Sequence, residues 1–148
     1  MALVPIVTGK HQPVLTKKAT KVVKFDKSLK KLIADLEDTV QFDKGLGVGL
    51  AAPQIGIDKR VFVAAIDDVV TVMVNPEIIW RSDDIISKEE GCLSLPGIEV
   101  VVGRPREIIV TYLDKKGRER ERKLQNFNAR VVQHEYDHLD GILITDYI

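Results

Sequence analysis

The period of the hydrophobic pattern changes from helical to strand-like partway along this chain, and that change limits the folds open to it. Leu29, Leu32, Ile33, Leu36 and Val40 recur at i, i+3, i+4, i+7 and i+11, the stripe of an amphipathic helix. Asp26 or Ser28 offers a side-chain oxygen to the first free N–H groups, and Gly45 supplies a left-handed stop, so the spacing predicts a helix over 27–43. From Arg60 onward the chain reads as β. Arg60–Ile66 and Val69–Asn75 flank Asp67-Asp68 as a hairpin requires, and Glu107–Leu113 and Arg118–Leu124 flank the turn-forming Asp114-Lys115-Lys116-Gly117. Shorter strands are expected at Glu77–Trp80 and Ile98–Val102. A last helix begins near Asn126 or Asn128 and stops at Gly141. This order predicts an α+β fold rather than alternating βαβ units.

Length and charge narrow the function classes. The 148 residues carry no repeat and no Pro/Gly/Ser-rich linker, so one domain over 1–148 is expected. Lys and Arg number 22 against 22 Asp and Glu, which removes the electrostatic case for stable nucleic-acid binding or an anionic membrane surface. No segment reaches 18 consecutive apolar residues, and Met1–Val7 lacks the basic start of a signal peptide, so a cytoplasmic protein is expected. The single cysteine, Cys92, has no internal disulfide partner.

His134-Glu135-Tyr136-Asp137-His138 fits H-E-x-x-H. On a helix, residues four apart share a face, so both imidazoles reach one divalent ion while Glu135 approaches the open side of that ion as a general base. A catalytic site usually takes three protein ligands. Ile144 stands where an extended metzincin pattern has its third His, and only Asp140 and Asp146 remain as downstream acids. The third ligand is therefore expected upstream, and Cys92 is the leading candidate, although a lone cysteine is more often a small buried residue. Gly47-Val48-Gly49-Leu50-Ala51-Ala52-Pro53-Gln54 is a run of small residues against which a peptide can lie as an added strand. It is no phosphate loop, because no G-K-[S/T] follows. Gln54 by itself reads more readily as a turn residue capping its own loop. His11, beside Gln12-Pro13, reads as structural or surface.

Together the run ending in Gln54, then Glu90-Gly91-Cys92-Leu93-Ser94, then Gln133–His138 resemble the three ordered motifs of peptide deformylases. The resemblance implies antiparallel sheets around a central helix that carries the H-E-x-x-H motif. It implies Cys92, His134 and His138 as ligands of one divalent ion, commonly Fe2+ with Zn2+, Ni2+ or Co2+ as alternatives. Glu135 would be the general base and acid. Gln54 and the Leu93 N–H would face the developing oxyanion, and Val48, Gly49 and Leu93 would bind substrate. The implied reaction is attack of metal-bound water on the formyl group of N-formylmethionyl peptides, releasing formate. The implied setting is a monomer acting on nascent chains near the ribosome. Glu99 stands where some bacterial relatives carry a basic substrate-contacting residue, and Arg130 either borders the methionine pocket or is a solvated helix charge. The rival readings are a small metallopeptidase and a non-catalytic peptide- or metal-binding module.

Overall fold

A computed structural model describes residues 3–40 and 47–148. Pro13–Thr16 forms one turn of helix (α1), and Lys27–Val40 forms α2. Asp26 caps α2, its Oδ1 accepting the Leu29 N–H and the Ser28 hydroxyl proton. The expected continuation of this helix to residue 43 and its stop at Gly45 lie outside the described residues. Among the described residues seven strands follow: β1 (Gly49–Ala51), β2 (Val61–Ile66), β3 (Val69–Arg81), β4 (Ile85–Cys92), β5 (Leu95–Pro105), β6 (Glu107–Leu113) and β7 (Glu119–Gln125). The chain closes with α3 (Asn126–Leu139) and a 3-10 turn at Ile144–Tyr147.

All pairings are antiparallel. One sheet runs β1-β2-β3-β6-β7, and β4-β5 form a separate two-stranded sheet. The hairpin expected at Asp67-Asp68 is present, with both residues at positive φ (49° and 64°), as a two-residue turn matched to strand twist demands. Two strands depart from expectation. Glu77–Trp80 is not separate: β3 runs on through Asn75-Pro76 as a bulge. Asn75, at φ 49°, holds that bulge by exchanging hydrogen bonds with the Val22 backbone through Oδ1 and Nδ2, both at 2.8 Å. β4 is new, because Ile85–Cys92 is too charged to read as a strand. The expected Ile98–Val102 is the middle of its longer partner β5.

The five-stranded sheet is covered on both faces, and β2 explains how. Phe62, Ala64 and Ile66 point to one face and pack with Ala129, Val132 and Leu139 of α3. Val61 and Val63 point to the other and meet Leu29, Leu32, Ile33 and Leu36 of α2. Each buried Val, Leu, Ile or Phe among them contributes about 1.5–3 kcal/mol. Val100 and Val102 of β5 pack with Leu15, Leu95, Leu143 and Ile144 in a third cluster, which Cys92 borders. The end of α3 requires Gly141, at φ 74°, where a Cβ would lie 2.7 Å from the backbone carbon of Thr16.

Candidate metal centre and peptide cleft

Three elements converge on one point. α3 presents His134, Glu135 and His138; the end of β4 presents Cys92; the 3-10 turn Ala52–Ile55 presents Gln54. The sulfur of Cys92 and one nitrogen each from His134 and His138 lie within 4.8 Å of one another, the one such donor group among the described residues. Cys92 Sγ stands 3.4 Å from His138 Nε2. Two ligands bound tetrahedrally at about 2.3 and 2.05 Å would be about 3.5 Å apart, so the donors already have the spacing of a thiolate and an imidazole on a common cation. His138 Nδ1 and Glu135 Oε1 are buried without a hydrogen-bond partner.

A network absent from the motif reading holds His134. Its Nδ1–H faces Glu90 Oε1 at 2.8 Å, which leaves Nε2 for the donor cluster. Arg104 forks onto both oxygens of Glu90 (2.6 and 2.9 Å) and reaches Asp137 at 2.9 Å, and the Tyr147 hydroxyl donates to Asp137 at 2.6 Å. Arg130 is only 8% exposed and is no solvated helix charge: it donates to Glu90, to the Val102 carbonyl and to the Ile86 carbonyl. One signal for Glu90 was available, since strand alternation puts it two residues from Cys92 on the same side. Nothing local pointed to Arg104, Asp137 or Tyr147.

These neighbours set the charges of the metal-free site. Burial alone would raise the Glu90 carboxyl, but Arg104 and His134 overcome it and hold the group down at about 2. Burial likewise pulls His134 down, yet its bonds to Cys92 and Glu90 lift it to about 10. Burial pushes Glu135 up to about 7 against the pull of His134 and Arg104, and drives His138 well below its ordinary value.

Gln54 is 2% exposed. Its Oε1 accepts the Ala51 N–H at 3.0 Å, which turns its NH2 toward Ser94 Oγ (3.2 Å) and Cys92 Sγ (3.6 Å). Gln54 therefore aims donors at the cluster as well as tying down its own turn. Leu93 lies in the turn between β4 and β5, its side chain packed toward the α2 cluster. His11 is exposed and outside the site.

Above the cluster opens a cleft of about 360 Å³. Its walls are Gly47, Val48 and Gly49 on one side and Glu89 to Leu93 on the other, so it runs between the edges of β1 and β4 that are unpaired among the described residues. The Val48 carbonyl accepts the Ala65 N–H at 2.7 Å and so belongs to the β1–β2 ladder. Antiparallel alternation then turns the N–H and C=O of Gly49 toward the open edge. A side chain at Gly49 would displace the Glu135 carboxylate, because a Cβ there would stand 2.7 Å from Glu135 Oε2.

A partly buried soft-and-imidazole donor set beneath two strand edges left open among the described residues is the arrangement of a metal-dependent hydrolase acting on extended peptides. A family model described as polypeptide deformylase matches residues 3–148. A peptide deformylase from Pseudothermotoga lettingae is 46% identical over 136 residues, covering 92% of this chain and 78% of that protein. One from Dictyoglomus thermophilum is 46% identical, covering 90% and 86%. The crystal structure of peptide deformylase from Thermotoga maritima superposes with TM-score 0.92 at 42% identity over 99% of this chain and 97% of that one. A Met-Ala-Ser-bound class I type b peptide deformylase from Acinetobacter baumannii superposes with TM-score 0.91 at 34% identity, covering 99% of each chain. The chain belongs to the polypeptide deformylase family, metal-dependent enzymes that hydrolyse the N-formyl group of newly made peptides.

Proposed function

We propose that residues 1–148 form one catalytic domain, a deformylase of N-formylmethionyl peptides built on the central H-E-x-x-H helix α3. The observation that supports this reading most is the Cys92–His134–His138 donor cluster beside the unpartnered Glu135 Oε1 at the floor of the cleft. Cys92 Sγ, His134 and His138 would hold one divalent ion. We favour Fe2+ on the family likeness; Cys-His-His donors equally suit Zn2+, with Ni2+ and Co2+ as further alternatives. When bound, such an ion makes a coordinated water acidic near neutral pH and polarises the formyl oxygen.

The protein's own groups do the rest. The free edge of β1 receives the substrate backbone through Gly49 N–H and C=O, with the Val48 side chain on the cleft wall and Leu93 opposite. Glu135 Oε1 takes the proton of the attacking water and returns it to the departing amine, releasing formate and a free N-terminus. Gln54 Nε2–H and the Leu93 N–H stabilise charge on the formyl oxygen; losing one such donor costs about 10²–10³ in rate. Cys92 then acts as a ligand and not a nucleophile. Met-Ala-Ser bound to the Acinetobacter relative supports a short peptide occupant. A cytoplasmic monomer meeting nascent chains at the ribosome completes the reading. Among the described residues no helix is long and apolar enough to cross a membrane.

Formate release from formyl-Met-Ala-Ser, measured beside hydrolysis of an internally cleavable peptide, tests this function. Release of formate without internal cleavage is expected. The reverse result makes the protein a metallopeptidase, and neither activity in the metal-loaded protein makes it a binding module.

A further inference from the structure

The Leu93 N–H is aimed by the backbone, but the carboxamide of Gln54 sits at the end of a side chain whose last torsion has no sharp staggered wells, so hydrogen bonds must set it. The Ala51 N–H holds Oε1 at 3.0 Å and decides which end of the amide is oxygen. One contact still leaves the plane free to swing about that oxygen. Ser94 supplies the second: its Oγ accepts one Nε2 proton at 3.2 Å, and the trigonal nitrogen then sends the other toward Cys92 Sγ at 3.6 Å, on the side of the donor cluster.

Ser94 is itself held. It is fully buried in the turn between β4 and β5 and does not line the cleft, so its hydroxyl is not placed to meet substrate. Its carbonyl accepts the Gly9 N–H at 2.9 Å, and the Gln54 carbonyl accepts the Val7 N–H at 2.7 Å. The segment Val7–Gly9 therefore stitches the 3-10 turn that carries Gln54 to the turn that carries Ser94, with Val7 packed in the cluster that Cys92 borders. From this arrangement we propose that Ser94 is a positioning residue: its hydroxyl locks the Gln54 carboxamide so that one Nε2–H stays aimed at the formyl oxygen. This rests on the function proposed above. A donor fixed beforehand needs no reorganisation as charge develops, whereas a swinging one does.

Metal-loaded variants turning over formyl-Met-Ala-Ser test it. Ser94→Ala should lower kcat about 10-fold, part of the about 10²–10³ that losing an oxyanion donor costs, with KM within about twofold and metal content unchanged. In a Gln54→Ala background the same substitution should lower kcat less than about twofold, because the group it positions is gone; a general disturbance of the turn would persist there. Ser94→Thr and Ser94→Val share a shape and differ in the hydroxyl, so Thr should exceed Val in kcat about fivefold or more whatever the added methyl does to both. In the metal-free protein, the Gln54 amide protons, assigned in NMR spectra by their absence from Gln54→Ala, should exchange with water about 10-fold faster in Ser94→Ala. Unchanged kcat or unchanged amide exchange in Ser94→Ala, an equal loss in both backgrounds, or Thr and Val alike overturns the positioning role and leaves the deformylase reading standing. No formate from the unaltered metal-loaded protein sinks that reading and the catalytic purpose of the lock with it.

Discussion

At the residue scale, the site separates groups that would hold a metal from groups that move protons. Glu135 makes no hydrogen bond to any of the three donors among the described residues; its Oε1 is buried without a partner. Glu135→Ala should therefore retain about one metal ion per chain by elemental analysis while formate release falls about 10³-fold or more. Glu90 works through His134 instead. Glu90→Gln should weaken metal binding about 10–100-fold in chelator competition, as loss of a carboxylate behind a ligating imidazole does. Glu90 also links stability to pH. Its pKa is lower in the folded chain (about 2) than its ordinary 4.5, so the stabilisation is complete above about 4.5 and is lost as pH falls from there to about 2. In the metal-free protein that loss should amount to roughly 3 kcal/mol, and urea unfolding at stepped pH should show much less of it in Glu90→Gln.

At the scale of elements, two glycines decide how α3 is seated. Gly49 lets β1 pass against Glu135, and Gly141 lets the end of α3 meet the chain after α1. Gly49→Ala should displace the Glu135 carboxylate and cut kcat by about 10-fold or more while metal content stays unchanged. Gly141→Ala combines a positive φ with a backbone collision and should cost about 2 kcal/mol or more by chemical denaturation. The β2–β3 and β6–β7 hairpins and both long helices were legible because their signals are local: an i, i+3, i+4 stripe, a two-residue turn, a capping aspartate. β4 was illegible for an equally physical reason. One face is solvated, and on the other the buried residue is Glu90, which is tolerable there only because Arg104 and Arg130 reach it from β5 and α3.

For the whole molecule, the donors come from two separate parts of the chain, β4 and α3, so cation binding ties the small sheet to the large one. Removing the metal with a chelator should lower Tm, since a ligand at about 1,000 times its Kd adds about 4 kcal/mol to the folded state. Phe62 is fully buried in the layer under α3. Phe62→Ala should lose about 3–5 kcal/mol in stability, with weakened metal retention as the same packing defect loosens the helix.

From the sequence came the change from helical to strand period, the pair of imidazoles on one helix face and the small-residue run that leaves room for a peptide. Each depends on neighbours a few positions apart, and spacing along a chain encodes such neighbours directly. Folding decided which distant groups meet: Cys92 with His138, Glu90 with Arg104 and Arg130, Asp137 with Tyr147, and the open edge of β1 with that of β4. Those contacts join residues 10 to 46 positions apart through the layered sheet and helix, and burial makes the charges among them strong enough to order the site.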